Sequence, residues 1–181
     1  PRNETVDFIY NYLYQMDLNG KKILDLCTGS GIIAIAVKKR FPNAIVYASD
    51  VSLDALSIAK KSSEINNTDI TFMKSDFLKD IHDKFDIIIS NPPYIEENSK
   101  DVDAPFEPHI ALYSGKDGLD SYRSIFKDLP SHLNENGSAY FELESTNSTS
   151  TEKLFKEINK DRYHTEIWKD TYDRDRYLII H

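Results

Sequence analysis

What this 181-residue sequence lacks narrows it first. Its single cysteine, Cys27, has nothing to pair with, so an internal disulfide is excluded and a reducing compartment is expected, the cytoplasm or an organelle matrix. Its longest apolar run, Ile32 to Val37, is far shorter than the ~20 residues a membrane-spanning helix needs, so a soluble protein with no membrane partner is expected. Positive charge is outweighed: 22 Lys and Arg against 30 Asp and Glu give a net charge of −8. Affinity built by blanketing phosphates with cations is thereby disfavoured, stable nucleic-acid binding is not expected, and a protein or small-molecule target is. The histidines, His82, His109, His132, His164 and His181, show no metal-ligand spacing, so no metal is expected. No internal repeat, low-complexity tract or linker is seen, and the length suits one domain over residues 1–181. No basic-then-apolar leader opens the chain and Pro1 stands first instead of Met, so a fragment of a longer protein is expected.

What is present alternates between strand and helix patterns. Val6, Ile9, Tyr10 and Leu13 fall at helical spacing and predict an amphipathic helix across one edge of a sheet. Lys22 to Leu26 reads as a short buried strand, followed at once by the turn Cys27-Thr28-Gly29-Ser30-Gly31 and an apolar helix from Ile32 to about Phe41. Ala44 to Ala48 is a second strand ending at Asp50, and a helix with Ser52 as its cap follows. Ile70 to Met73 and Phe85 to Ser90 are the third and fourth strands, with helix-length segments between the early strands, so parallel pairing with right-handed crossovers is expected. From Asn91 to about Gly118 periodicity disappears, and an aperiodic loop that long inside a compact domain is usually functional. Tyr122 to Leu133 predicts a helix, Ser138 to Leu143 a strand after an Asn136-Gly137 turn, and Leu154, Phe155 and Ile158 another helix. Tyr163 to Trp168 and Tyr177 to Ile180 close the chain as an antiparallel hairpin.

The stretch Ser90-Asn91-Pro92-Pro93-Tyr94 stands out chemically. A planar –NH2 group is held in one orientation by two in-plane acceptors and a flat surface against its face. The Asn91 side-chain oxygen, the carbonyl of ring-locked Pro92 and the ring of Tyr94 can supply all three. The stretch follows a buried strand, and the carboxyl ends of strands are where open α/β sheets bind ligands. Asn91, Pro92 and Tyr94 are therefore the catalytic candidates, with Pro93 completing the acceptor-binding stretch.

A cofactor signal precedes it. Gly29, Gly31 and Ala34 satisfy G-x-G-x-x-A, a turn that lets a ligand approach backbone and the free N–H groups of a helix start. Asp50 stands at the end of the next strand, where a carboxylate can take both hydroxyls of an adenosyl ribose. That spacing alone serves nicotinamide and adenosylmethionine enzymes alike. Asp25, suited to a ligand with an ammonium group, and the lack of chain for a hydride-acceptor domain favour S-adenosylmethionine. Asp76 and Phe77 could take the adenine amino group and cover its ring, a solvated strand-end aspartate being the competing reading of Asp76. Thr28, Val51 and Asn91, the last shared with the acceptor stretch, complete the cofactor-binding set, whereas Cys27, with no Lys, Arg or His beside it in sequence, is expected only to fill the strand end.

With these pieces placed, the chain resembles the HemK (PrmC) family, the glutamine methyltransferases that modify peptide-chain release factors. The resemblance rests on Pro1-Arg2-x-Glu4-Thr5, Asp25-Leu26-x-Thr28-Gly29-Ser30-Gly31, Ser90-Asn91-Pro92-Pro93-Tyr94-Ile95, Phe106-Glu107-Pro108-x-x-Ala111-Leu112, Asp117-Gly118-Leu119-Asp120 and Asp170-x-x-x-Arg174-Asp175-Arg176. It implies a class I methyltransferase fold, doubly wound around a mostly parallel seven-stranded sheet with a C-terminal antiparallel hairpin. It also implies S-adenosylmethionine as methyl donor, a glutamine amide of a release factor as acceptor, and Arg2 and Thr5 near the active-site mouth, where an unstructured terminus is the competing reading.

Some positions depart from the family pattern. Cys27 replaces the usual glycine, which is tolerable if only backbone is used there. The loop from Tyr94 to Glu107 is shorter, Glu144-Ser145-Thr146-Asn147 replaces the usual Gly and Gln after Glu142, and the family's helical N-terminal domain has no counterpart. These changes bear on the substrate more than on the chemistry. An adenine-N6 methyltransferase acting on DNA or RNA is the alternative enzyme, since adenine's –NH2 fits the same acceptors. A non-catalytic binding subunit is the alternative of another class.

Overall fold

The structure, a computed structural model, describes residues 3–97 and 112–181. Seven strands form one sheet: β1 (Lys22–Leu26), β2 (Ile45–Asp50), β3 (Thr71–Lys74), β4 (Phe85–Ser90), β5 (Leu133–Glu142), β6 (Thr165–Lys169) and β7 (Asp175–Ile180), in the order β3-β2-β1-β4-β5-β7-β6. The first five pair in parallel, and β7 runs antiparallel between β5 and β6. This is the doubly wound sheet with a terminal hairpin expected from the sequence. The central strands carry apolar side chains on both faces, as a sheet covered on both sides requires.

Strand alternation sorts the core into two layers. Leu24, Leu26, Ile88, Phe141, Leu178 and Ile180 face α4 (Asp120–His132) and α5 (Ser148–Asn159), whose Tyr122, Ile125, Phe126, Leu129 and Phe155 fill that side. Ile23, Ile87, Ile89, Tyr140, Tyr177 and Ile179 face the other way, toward α1 (Asn3–Asn11) and α2 (Ile32–Arg40). The remaining helix, α3 (Leu53–Ile65), starts at the Ser52 cap as expected, with the Ser52 hydroxyl accepting the Ala55 N–H at 3.2 Å. In α4, Pro130 has no N–H to give the Phe126 carbonyl, and the Asn159 side chain donates to that carbonyl instead, at 3.1 Å.

Four expectations need correction. The first helix does not cross an edge of the sheet: Phe8 lies 4.9 Å from the Tyr177 ring and 6.1 Å from that of Tyr140, so α1 covers the face over β5 and β7. Phe8 points inward where Tyr10 was expected to, and Tyr10 is exposed. No helix joins β3 to β4, because the ten residues 75–84 are used in tight turns around Ser75 to Ile81. The Asn136-Gly137 turn lies within β5, which starts at Leu133; Phe85 pairs with Leu133 and Ile87 with Ser138, so the extra residues form an irregularity in the strand. Asn136 takes the left-handed φ of 62° there.

Candidate active site at the carboxyl edge of the parallel strands

The register fixes where the loops emerge. Leu26 pairs with Ser49 on one side and Ser90 on the other, so β1, β2 and β4 end side by side. Chain order reverses between β1 and β4, and such a switch point leaves a crevice at the strand ends.

The turn after β1 is built from left-handed residues: Cys27 at φ 62°, Gly29 at 55° and Gly31 at 84°. At Gly31 the left-handed φ favours glycine and space is also tight, since a Cβ would meet the Ala59 Cβ at 3.1 Å where α2 packs on α3. At Gly29 a Cβ would meet nothing within 4 Å, so the backbone there borders open space. Cys27 carries a side chain in a conformation that disfavours one, so the substitution for glycine is tolerated at a strain of ~1–2 kcal/mol, and its effect is on the backbone itself. Burial, with the carboxylates of Asp50, Asp25 and Asp76 nearby, pushes the Cys27 thiol pKa up; the sulfur stays protonated and is no nucleophile.

Asp25 lies beneath this turn, only 1 % exposed. Its Oδ2 accepts the Thr28 hydroxyl at 2.6 Å and the Ala34 N–H at 3.0 Å, whereas Oδ1 has no hydrogen-bond partner among the described residues. Burial raises its pKa to about 7, against the lowering effect of those two hydrogen bonds. Asp50 ties the turn to β2, accepting the Gly29 N–H at 2.9 Å on one oxygen and the Ser52 N–H at 2.9 Å on the other. Each carboxylate oxygen accepts about two hydrogen bonds, so both retain a free lone pair. Val51, beside it, is exposed. Asp76 sits at the surface with its carboxylate on Lys79, and Phe77 follows at φ 52°, half-buried against the core.

After β4 the Ser90 hydroxyl donates to the Leu26 carbonyl at 2.7 Å, and the chain enters Asn91, half-buried, and Pro92, buried. Tyr94 is 7 % exposed and belongs to the core on the α4 side. Only a small part of its ring is left to back an acceptor, less than the open flat surface expected. The cover comes from residues 112–119. The Ile95 N–H donates to the Leu112 carbonyl at 2.9 Å and the Ser114 N–H to the Ile95 carbonyl at 2.8 Å. Gly118, at φ 71°, passes so close that a Cβ would lie 2.5 Å from the Tyr94 carbonyl oxygen.

One further side chain meets Asn91, and a second stands behind that one. Its Nδ2 donates to the Thr5 hydroxyl oxygen at 3.4 Å, and the Thr5 hydroxyl donates to Glu142 Oε2 at 3.1 Å. Thr5 and Glu142 are each 5 % exposed, and Thr5 lies directly behind the catalytic candidate Asn91. Arg2 and the stretch Phe106 to Ala111 lie outside the described residues.

A family pattern described as "Methyltransferase small domain" matches residues 6–107. The release factor glutamine methyltransferase of Lactococcus lactis is 36% identical over 184 residues, 99% of this chain and 68% of its own length. The chain belongs to the release factor glutamine methyltransferase family. It spans about two thirds of the length of the curated relatives it matches. Two solved structures share the family fold. One is a ribosomal protein L11 methylase from Lactobacillus delbrueckii, with a TM-score of 0.74 at 22% identity over 99% of this chain and 79% of that one. The other is a release factor-specific protein-(glutamine-N5) methyltransferase from Alicyclobacillus acidocaldarius, with a TM-score of 0.61 at 20% identity over 99% and 92%.

The structure thus brings together Asp25, Thr28, Gly29, Gly31, Asp50, Val51, Asn91, Pro92, Pro93 and Tyr94 on one edge. Sequence reasoning did not single out Glu142, which the structure places behind Thr5 and Asn91, or Gly118, which it packs against the Tyr94 carbonyl. A charged residue inside the apolar run Ser138 to Leu143 was the available signal for Glu142. For Gly118 there was none beyond its place in the Asp117-Gly118-Leu119-Asp120 motif.

Proposed function

We propose that this chain transfers a methyl group from S-adenosylmethionine to the side-chain amide nitrogen of a glutamine, in the Gly-Gly-Gln loop of a peptide-chain release factor, leaving S-adenosylhomocysteine and releasing one amide proton to water. The observation that carries the reading is the position of Asn91-Pro92-Pro93-Tyr94 directly after β4, beside the glycine turn of β1 at the switch point. The names of the relatives supply the acceptor class.

The residues suit the donor. The turn leaves open space over Gly29, and Asp25 and Asp50 place two carboxyl groups around it, one with a buried unpartnered oxygen and one with spare lone pairs. Both favour a cationic ligand with hydroxyls to give. S-adenosylmethionine, when bound, supplies a methyl group on a positively charged sulfur. Gly29 and Thr28 would border its methionine part, Asp50 would take the ribose hydroxyls, and Val51, Asp76 and Phe77 would flank the adenine.

An amide nitrogen is a poor nucleophile because its lone pair is delocalised, so the protein's contribution is to position it. Holding reacting atoms in line can supply ~7 kcal/mol of a barrier. Asn91 Oδ1 and the Pro92 carbonyl accept the two amide hydrogens, the double proline keeps that carbonyl rigid, and Tyr94 closes the floor. Burial of Pro92 and Tyr94 keeps water from competing for the acceptors. With a net charge of −8 the chain suits a neutral or basic protein surface, and among the described residues no helix is long and apolar enough to cross a membrane.

The test incubates the protein with methyl-labelled S-adenosylmethionine and, separately, a release factor, its Gly-Gly-Glu variant, tRNA and duplex DNA. Label is expected in the parent release factor alone. Label in nucleic acid and not in the release factor would overturn the acceptor.

A further inference from the structure

Asn91 serves the proposed reaction only one way round. Its side chain has an accepting oxygen and a donating nitrogen of nearly equal size, and only the oxygen can accept a hydrogen from a glutamine amide. Nothing in the shape of the amide selects between the two. The selection comes from behind it.

Thr5 has a single hydroxyl proton, and it points to Glu142 Oε2 at 3.1 Å. A hydroxyl that has given its proton to a carboxylate shows only lone pairs to its other neighbours. Asn91 meets that oxygen at 3.4 Å and must therefore turn its nitrogen to it, which leaves Oδ1 on the opposite side. In the reversed orientation Oδ1 would face the Thr5 lone pairs, a repulsive contact beside two side chains that are each only 5 % exposed. At 3.4 Å the attraction is weak, so the effect is exclusion of the wrong orientation more than strength of bonding.

The fold holds this arrangement from three directions. Ile87 and Ile89 face α1, and continuing that alternation places Asn91 on the same side. In β5, Tyr140 faces α1 and Glu142 follows two residues later, while Thr5 lies in the first turn of α1 between them. Glu142 is fixed through its backbone: its carbonyl accepts the Tyr122 hydroxyl at 2.6 Å, and the next carbonyl, of Leu143, accepts Arg176 Nη1 at 3.0 Å.

We infer that Thr5 and Glu142 are positioning residues that set the polarity of Asn91, and through it the preference for an amide over a carboxylate acceptor. This rests on the proposed glutamine reading and adds to it the origin of its specificity. The two variants that probe it are Thr5→Val, which keeps the shape and removes the hydroxyl, and Glu142→Gln, whose amide can donate to Thr5 and free the hydroxyl to donate to Asn91.

The measurements are kcat and KM for a Gly-Gly-Gln peptide, the inhibition constant of the matching Gly-Gly-Glu peptide, and S-adenosylmethionine affinity by calorimetry. Thr5→Val is expected to lower kcat ~10-fold and to tighten the Gly-Gly-Glu peptide ~10-fold, because Asn91 can then present its NH2 group to a carboxylate. Cofactor affinity should stay within about twofold, Thr5→Ser should restore the parent pattern, and Glu142→Gln should move both quantities in the same direction as Thr5→Val. General loosening of the fold would weaken both peptides together. Parent-like discrimination in Thr5→Val overturns the inference, and if that variant does not fold, parent-like discrimination in Glu142→Gln does so. Asn91→Ala separates the two levels. If it loses transfer while the Thr5 variant discriminates normally, the positioning role fails and the glutamine reading stands; if it methylates the peptide at the parent rate, the glutamine reading itself fails.

Discussion

The two halves of the carboxyl edge are held in different ways. On the cofactor side the supporting bonds are local: Thr28 to Asp25 spans three residues, Ala34 to Asp25 nine, Ser52 to Asp50 two, and Gly29 to Asp50 twenty-one. On the acceptor side they are remote: Asn91 to Thr5 spans 86 residues and Thr5 to Glu142 spans 137. The first half is nearly complete once β1, β2 and their turns exist. The second requires α1 to dock on the face of β5 and β7, and residues 112–119 to close over Tyr94. Changes on one side should therefore leave the other largely intact, because sites with no shared partner behave independently.

The largest expected effect is that of Asn91→Ala, a ~10^3-fold fall in kcat with S-adenosylmethionine affinity unchanged, measured by label transfer and calorimetry. A parallel loss of cofactor binding would show that the halves are coupled. Next comes Asp25, which tests the cofactor side without touching the acceptor. Its carboxyl pKa is raised from 3.8 in the unfolded chain to about 7 in the fold. The folded state therefore keeps a proton that the unfolded chain releases, and the stability present below about pH 4 is lost as pH rises through about 7, at ~1.4 kcal/mol per pKa unit. Asp25→Asn should flatten that slope, raising the thermal midpoint of the cofactor-free protein at pH 8 and changing it little near pH 4.

Asp50→Ala removes a charged partner of the ribose and should weaken S-adenosylmethionine by ~1.5–3 kcal/mol, leaving the Gly-Gly-Gln over Gly-Gly-Glu preference as in the parent. A changed preference would break the division between the halves. Gly118→Ala is its counterpart on the acceptor side. A methyl 2.5 Å from the Tyr94 carbonyl must displace that peptide, and the left-handed φ adds ~1–2 kcal/mol of strain. Lower stability and lower kcat are expected, with cofactor affinity retained. The smallest effect is that of Cys27→Gly, which relieves a left-handed side chain but frees the unfolded chain, for a net gain of at most ~1 kcal/mol in denaturant unfolding.

How far the site could be read in advance follows the same division. The glycine turn, Asp50 and Asn91-Pro92-Pro93-Tyr94 each sit where a strand ends, and strand ends are marked by a change from apolar run to turn residues within a few positions. The start of β5 was misplaced because Asn136-Gly137 has the composition of a turn, and only pairing with β4 keeps the strand going through it. The first helix was recognised by its spacing but placed at an edge, because periodicity reports that a helix has an apolar face and not what that face covers.

The sequence by itself determined the approximate positions of the seven strands, the parallel pairing of the early ones, and the chemistry available at each strand end. These depend on periodicity, turn residues and handed crossovers, all of which act over short stretches of chain. Only the tertiary structure decided that Thr5 and Glu142 meet behind Asn91, that Gly118 closes over Tyr94, and that Asp25 is buried with one oxygen unpartnered. Contacts between residues so far apart in the chain are set by which faces become neighbours when α1 and residues 112–119 settle on the finished sheet. No local pattern encodes that choice.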